Sequence, residues 1–291
     1  MKRNGEEKNA VLGGTLYLVG TPIGNLSDLS ERAVKVLGEV GFVAAEDTRV
    51  SGRLLAALGI KKEMISYFEH NQTERGEAIL ARLLAGESCA LVTDAGMPAI
   101  SDPGEALVAL CAQAGVPVSV IPGPSAAVSA LALSGLPART FHFEGFLPRE
   151  NKERRERLTA LAALSETLVL YEAPHRLKKT LAELFDALGD RRIALCREMT
   201  KLNEETVRTT LSAARERYES EEPRGEFALV IEGAPAKESA QNDLCLLSPA
   251  EHVAFYEAGG MRRMDAIKRA AADRGIAKNE LYRALCKEDE T

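Results

Sequence analysis

From Thr15 onward, short apolar runs alternate with stretches whose apolar residues recur at helical spacing. Leu16 to Val19 reads as a first strand, followed by the loop Gly20-Thr21-Pro22-Ile23-Gly24-Asn25. A helix is expected from Ser27 or Asp28, with Leu29, Ala33, Val36 and Leu37 on one face. Phe42 to Ala45 is a second strand; the next helix, carrying Leu54, Leu55 and Leu58, stops at Gly59. Met64 to Phe68 and Cys89 to Val92 are strands three and four, with a helix to about Ala85 between them. After the loop Asp94 to Gly104, a helix begins near Glu105, and Val116 to Ile121 is strand five. Strict alternation of strands and helices predicts an α/β domain with a mainly parallel, doubly wound sheet.

Pro122-Gly123-Pro124-Ser125 interrupts this rhythm and marks a boundary. A small-residue helix from Ala126 to Ser134 leads to an apolar stretch at Phe141 to Phe146 and a charged helix from about Asn151 to Leu164. Further strands are expected at Thr167 to Tyr171, Ile193 to Cys196 and Phe227 to Ile231. The extended 198–208 segment separating them suggests that this second sheet is mixed. Residues 1–14 read as a flexible lead, 15–122 and 123–234 as two α/β domains, and 245–291 as a small helical segment. That segment opens on Ser248-Pro249-Ala250-Glu251, a capping box with proline at the first helical position.

Composition narrows the class. With 45% hydrophobic and 27% charged residues over 291 positions, the chain is globular rather than disordered. Its net charge of −6 means that any nucleic acid must be held by a local basic patch. Residues 261–283 hold seven basic and three acidic side chains, and Arg149 to Arg157 five and three; both stretches are also what solvated helix faces look like. Five scattered cysteines show no metal-ligand spacing and fit a reducing cytoplasm, no apolar run is long enough to span a membrane, and the first residues are too polar for a signal peptide.

No phosphate-cradling Walker sequence occurs, and GTPIGN is not a dinucleotide fingerprint. Instead, three loops put glycine and proline beside small polar groups: Gly20 to Asn25, Asp94 to Gly104, and Pro122 to Ser125. They follow strands one, four and five of one sheet and can line one crevice at its carboxyl edge. Such a cleft suits a medium-sized ligand bound largely through backbone groups, with Asp94 and Ser125 supplying directed hydrogen bonds.

In this order, GTPIGNLSDLSERA, AAEDTR, YFEHNQ, TDAGMPAISDPG, IPGPSA, FEGFLPR, YEAPHRL, REMTKLNEE and GEFALVIEG resemble the RsmI family of 16S ribosomal RNA (cytidine-2′-O)-methyltransferases, within the tetrapyrrole methylase superfamily. The resemblance covers roughly residues 15–233. It implies a two-domain enzyme that binds S-adenosyl-L-methionine between its domains. The product would be 2′-O-methylcytidine in small-subunit RNA, and the resemblance favours a homodimer. Carried over motif by motif, it points to Pro22, Asp94, Gly96 and Ser125 in the cofactor cleft, with Ile100 and Ala228 as apolar neighbours. Met97 departs from the pattern, which expects threonine there.

The implied transfer needs a proton acceptor or cationic neighbours for a weakly acidic hydroxyl. Asp47, Arg49 and His70 are the first candidates among the charged residues in post-strand loops, which also include Glu46, Glu172, His175 and Glu198. For RNA, Arg149, Arg154, Arg155, Arg176, Lys201, Arg262 and Lys268 offer a path for phosphates. Two other readings share parts of this pattern. A small-molecule methylase acting on a tetrapyrrole would keep the cofactor without needing basic terminal helices, and a ribosome-assembly factor would keep the basic face without catalysis.

Overall fold

The computed structural model describes residues 10–235, 244 and 247–288, which fall into two compact units divided at Gly233/Ala234. The first unit contains two five-stranded sheets. Strands β1 (Leu16–Val19), β2 (Phe42–Ala45), β3 (Glu63–Ser66), β4 (Cys89–Val92) and β5 (Val118–Ile121) form a wholly parallel sheet in the order β3-β2-β4-β1-β5. Strands β2 and β4 are buried along their whole length, so they read as continuous apolar runs rather than alternating ones. Helices α1 (Glu31–Glu39), α2 (Thr48–Ala57), α3 (Gln72–Leu84) and α4 (Glu105–Gln113) connect them. Their buried faces supply Val36 and Leu37, Leu55, Ile79 and Leu83, and Leu107 to two clusters packed against the sheet.

The first helix begins later than the sequence pattern suggests. Asn25 caps only a 3₁₀ turn at Leu26–Asp28, and Ser30 caps α1 by accepting from the Ala33 N–H at 3.1 Å. Local capping competes with apolar periodicity here and sets the boundary.

The second sheet has the order β6-β7-β10-β8-β9. Its strands are β6 (Phe141–Phe146), β7 (Thr167–Glu172), β8 (Arg192–Arg197), β9 (Glu205–Thr210) and β10 (Phe227–Ile231). Only β6 and β7 run parallel; the other three pairings are antiparallel, giving a mixed sheet. β9 is an edge strand inside the segment that looks merely extended in the sequence. Its residues Glu205 to Thr210 are polar except Val207 and half exposed, which removes the apolar signal. α5 (Ala126–Ser134) packs one face of this sheet through Ala127, Ala130 and Leu131, while α6 (Asn151–Ala162), α7 (Pro174–Leu188) and α8 (Leu211–Ser220) cover the other through a leucine-rich core.

In the second unit, α9 (Pro249–Ala258), α10 (Arg263–Asp273) and α11 (Lys278–Glu288) bury Val253, Ile267, Ala270, Leu281 and Leu285 together. Ser248 and Glu251 form the expected reciprocal cap. Among the described residues no helix is long and apolar enough to cross a membrane.

Candidate active site

The carboxyl ends of β1, β4 and β5 meet through their loops. Thr21 and Gly96 exchange backbone hydrogen bonds at 2.8 and 3.1 Å, joining the first loop to the Asp94–Gly104 loop. Gly20 and Gly123 are in backbone contact: a Cβ on Gly123 would lie 2.8 Å from the Gly20 Cα, and one on Gly20 would lie 2.7 Å from both the Gly123 Cα and the Met97 sulfur. Glycine is required at both positions for the loops to close. Met97 therefore packs its thioether beneath this junction and also lines the cleft.

A cleft of about 420 Å³ opens between these loops and the second sheet. Ile23, Met97, Ala126, Met199, Phe227 and Ala228 give it an apolar interior. Glu46, Asp94 and Asp102 form an acidic end. Glu46 ties that end together, its Oε2 accepting from the Thr93 hydroxyl at 2.6 Å and from the Asp94 N–H at 3.4 Å. Burial, then the Glu46 charge, pushes the Asp94 carboxyl above its usual range. The same order of causes lifts Asp102 further, to about 6, with Asp94 adding to the repulsion and Thr93 opposing it.

The second sheet supplies the opposite wall. The Tyr171 hydroxyl accepts from the Ala127 N–H at 2.9 Å, fixing the start of α5, and its ring meets those of Phe143 and Phe146. The buried Glu172 accepts from Thr180 at 2.5 Å and from the Ala173 N–H at 2.9 Å. Arg154 backs this group: it donates to Thr180 at 2.7 Å and to Glu183 at 2.5 Å. Lys201 bridges Glu198 and Glu226 at 2.9 and 2.8 Å. Burial pulls its pKa down, but the hydrogen bonds to those two carboxylates outweigh it and raise it.

Among the described residues, four non-glycine residues have φ between +50° and +67°: Ala99, Ser101, Glu198 and Thr200. They fall in the two loops that face each other across the cleft, and Ser101 and Glu198 line it. Left-handed backbone is costly for such residues, and it is concentrated in these two loops.

Of the residues expected at the cofactor cleft, Asp94, Gly96, Ile100, Ser125 and Ala228 all line it. Pro22 does not; it is half-buried beside Thr21, and its neighbour Ile23 reaches the interior instead. Of the catalytic candidates, Asp47 and Arg49 are outside the lining and bind each other, Arg49 donating to both Asp47 oxygens at 3.0 and 2.6 Å. The Arg49 hydrogen bonds hold Asp47 down to about 2. His70 lines a second, adjoining cleft.

The RNA candidates divide in the same way. Arg149, Arg155, Arg262 and Lys268 are exposed. Arg154 is not available to a phosphate, because its guanidinium is buried and committed to Glu183 and Thr180. Arg176 is drawn inward by the Leu147 carbonyl at 2.8 Å and by Glu172 at 3.5 Å, and Lys201 is held within the cleft wall. Helical periodicity cannot distinguish an arginine that faces solvent from one that folds under its own helix. Asp102 and Glu172, missed as leading candidates, were signalled only by their places in SDPG and YEAP after strands.

An acidic-ended, apolar cleft at the switch between two α/β sheets defines a class. Residues 15–215 match the family model for tetrapyrrole (corrin/porphyrin) methylases. The fold matches a cobalt precorrin-4 methyltransferase of cobalamin biosynthesis with a TM-score of 0.57 at 21% identity, covering 75% of this chain and 95% of that one. It also matches uroporphyrin-III C-methyl transferase from Thermus thermophilus, solved in complex with S-adenyl homocysteine, with a TM-score of 0.53 at 22% identity, covering 74% of this chain and 96% of that one. Sequence relatives are more specific. The chain is 46% identical to ribosomal RNA small subunit methyltransferase I of Halalkalibacterium halodurans over 92% of its own length and 93% of that protein's. Identity to the protein of the same name in Bacillus subtilis is 44%, over 93% and 94%. This chain belongs to the ribosomal RNA small subunit methyltransferase I family.

Proposed function

We propose that the protein transfers a methyl group from S-adenosylmethionine to the 2′-oxygen of a cytidine in 16S ribosomal RNA of the small subunit. The observation that carries this reading is the cleft: apolar inside, acidic at one end, and framed by strained loops in a chain of this family. The apolar interior suits an adenine ring, and the acidic end suits hydroxyl donors and a cationic sulfur. When bound, S-adenosylmethionine supplies a methyl group on that cationic sulfur. The chain's own work is to align the acceptor, exclude water and remove a proton.

Ile23, Asp94, Gly96, Ser125 and Ala228 line the cleft that would hold S-adenosylmethionine, and the proton of the acceptor hydroxyl would pass to a base of this chain. We assign that proton to Asp102, whose carboxyl is lifted to about 6 yet is ionised at neutral pH, making it a stronger base than an ordinary carboxylate. Asp47 and Arg49 are positioning residues, since the Asp47 N–H donates to Asp94 Oδ1 at 3.2 Å. The exposed Arg149 and Arg155 are the phosphate contacts on the first unit, and Arg262 and Lys268 those on the second. We take the working form to be a cytoplasmic homodimer.

The test is transfer from labelled S-adenosylmethionine, offered purified 30S subunits or a uroporphyrin-type tetrapyrrole. The reading predicts label in the RNA alone. Label in the tetrapyrrole alone would mark a small-molecule methylase. Absence of label in both, together with no calorimetric binding of S-adenosylmethionine, would leave a non-catalytic assembly factor.

A further inference from the structure

A second cleft, about 640 Å³, adjoins the first and shares Glu46, Ser101 and Asp102 with it. It is large enough for a nucleoside. On its far side stand Phe68 and His70, their rings edge to face with centroids 6.3 Å apart. Phe68 is 40% exposed, although its backbone is held firmly. Asn71 fixes the turn by accepting from the Phe68 N–H at 2.8 Å and donating to the Ser66 carbonyl at 3.1 Å. An aromatic ring carried on a hydrogen-bonded turn at a cleft wall, with part of its apolar surface in water, is a ready stacking partner for a planar group.

The other polar groups of this cleft set the chemistry of its ligand. Glu69 and Glu105 are carboxylates at its wall, and among the residues lining it no lysine or arginine occurs. A phosphate is therefore excluded from the interior, while an exocyclic amine can donate to these acceptors. Cytosine carries such an amine; uracil offers carbonyl oxygens there instead.

We propose that this second cleft holds the acceptor cytidine, turned out of the RNA, with its base against Phe68 and His70 and its ribose at the shared Glu46–Asp102 wall. The backbone phosphates then stay at the mouth, outside the ring of carboxylates. The arrangement brings the 2′-hydroxyl beside Asp102 from one cleft and the methyl donor from the other. Extrusion of a nucleotide into a pocket is a general solution where the target atom is inaccessible in structured nucleic acid. Ser101, whose left-handed backbone shapes the shared wall, is pressed against the second sheet: a Cβ at Gly145 would lie 2.5 Å from its hydroxyl oxygen.

The identity of the ligand rests on the RNA-methylation reading, so the test uses free cytidine and does not depend on turnover. Cytidine is titrated into the full chain while the His70 ring resonances, assigned by their loss in His70→Gln, are followed by NMR. The expected result is a saturable shift in the wild type, at least several-fold weaker with uridine, and at least tenfold weaker in Phe68→Ala but recovered in Phe68→Tyr. Calorimetric affinity of Phe68→Ala for S-adenosylmethionine should stay within about twofold of wild type. His70 signals unmoved by cytidine, or cytidine and S-adenosylmethionine affinities lost together in Phe68→Ala, would overturn the proposal. A chain that binds cytidine as described yet leaves 30S subunits unlabelled would keep this site and remove the RNA-methylation reading.

Discussion

The backbone N–H of Asp47 donates to Oδ1 of Asp94 across 3.2 Å, so the loop after β2 holds the carboxylate presented by the loop after β4. Asp47 itself is held by Arg49, whose backbone N–H reaches its Oδ1 at 2.8 Å. Asp94 thus comes to the cleft already oriented. Replacing it by alanine should weaken S-adenosylmethionine binding about 10- to 100-fold, the loss of roughly 1.5–3 kcal/mol for a hydrogen bond to a charged group. Calorimetry checks this, and a melting temperature close to wild type would show that the loss belongs to the site.

Asp102 links stability and activity with opposite signs. Its carboxyl moves from the ordinary 3.8 to about 6 in the folded chain. Between those values the native state keeps a proton that the unfolded chain has released. The stability it contributes is present below this window and is lost as pH rises through it. Asp102→Asn should therefore flatten the pH dependence of thermal unfolding between about pH 4 and 6 and melt higher than wild type at pH 7.5. The same variant should lose methyl transfer about 100-fold or more, and the wild-type rate should rise with pH through about 6. An Asp102→Asn enzyme with undiminished transfer would remove the residue from the chemistry.

Gly123→Ala puts a Cβ within 2.8–3.0 Å of Gly20 backbone atoms, which cannot move aside as a side-chain tip can. The loops after β1 and β5 should be forced apart, at a cost of about 1–3 kcal/mol to folding. Donor affinity should fall with it. Denaturant unfolding followed by calorimetry measures both.

Arg154→Ala takes the buried donor from Thr180 and leaves Glu172 to Arg176 and Glu183 to the more exposed Lys179. Removing one member of a buried ionic network costs about 3–5 kcal/mol. Binding of 30S subunits per folded molecule should be unchanged, whereas Arg155→Ala, exposed on the same helix, should weaken it without touching stability. Unfolding curves and salt-dependent 30S binding separate the two arginines.

Much of this architecture is legible in the chain because local signals and burial agree. Cys89 to Val92 is apolar and flanked by turn residues, and Ala126 to Ser134 folds as the helix its composition suggests. β9 escapes because an edge strand of polar residues has no apolar code; pairing with β8 alone defines it. At the site, the glycine- and proline-rich loops announce the cleft, but the sequence cannot say which carboxylate faces it. Asp47 and Asp102 both follow strands, and only the fold turns one toward Arg49 and the other toward the shared wall. Arg154 and Arg155 are neighbours in sequence, and the roughly 100° step between adjacent helix positions buries the first and exposes the second.

The proposed acceptor of the methyl group is a ribose oxygen of ribosomal RNA. The most direct measurement is to label purified 30S subunits with this enzyme and methyl-labelled S-adenosylmethionine, digest the RNA to nucleosides, and identify the labelled species by mass spectrometry. The expected product is 2′-O-methylcytidine from a single position in 16S RNA. Label on a base, or on ribose of a nucleoside other than cytidine, would contradict it.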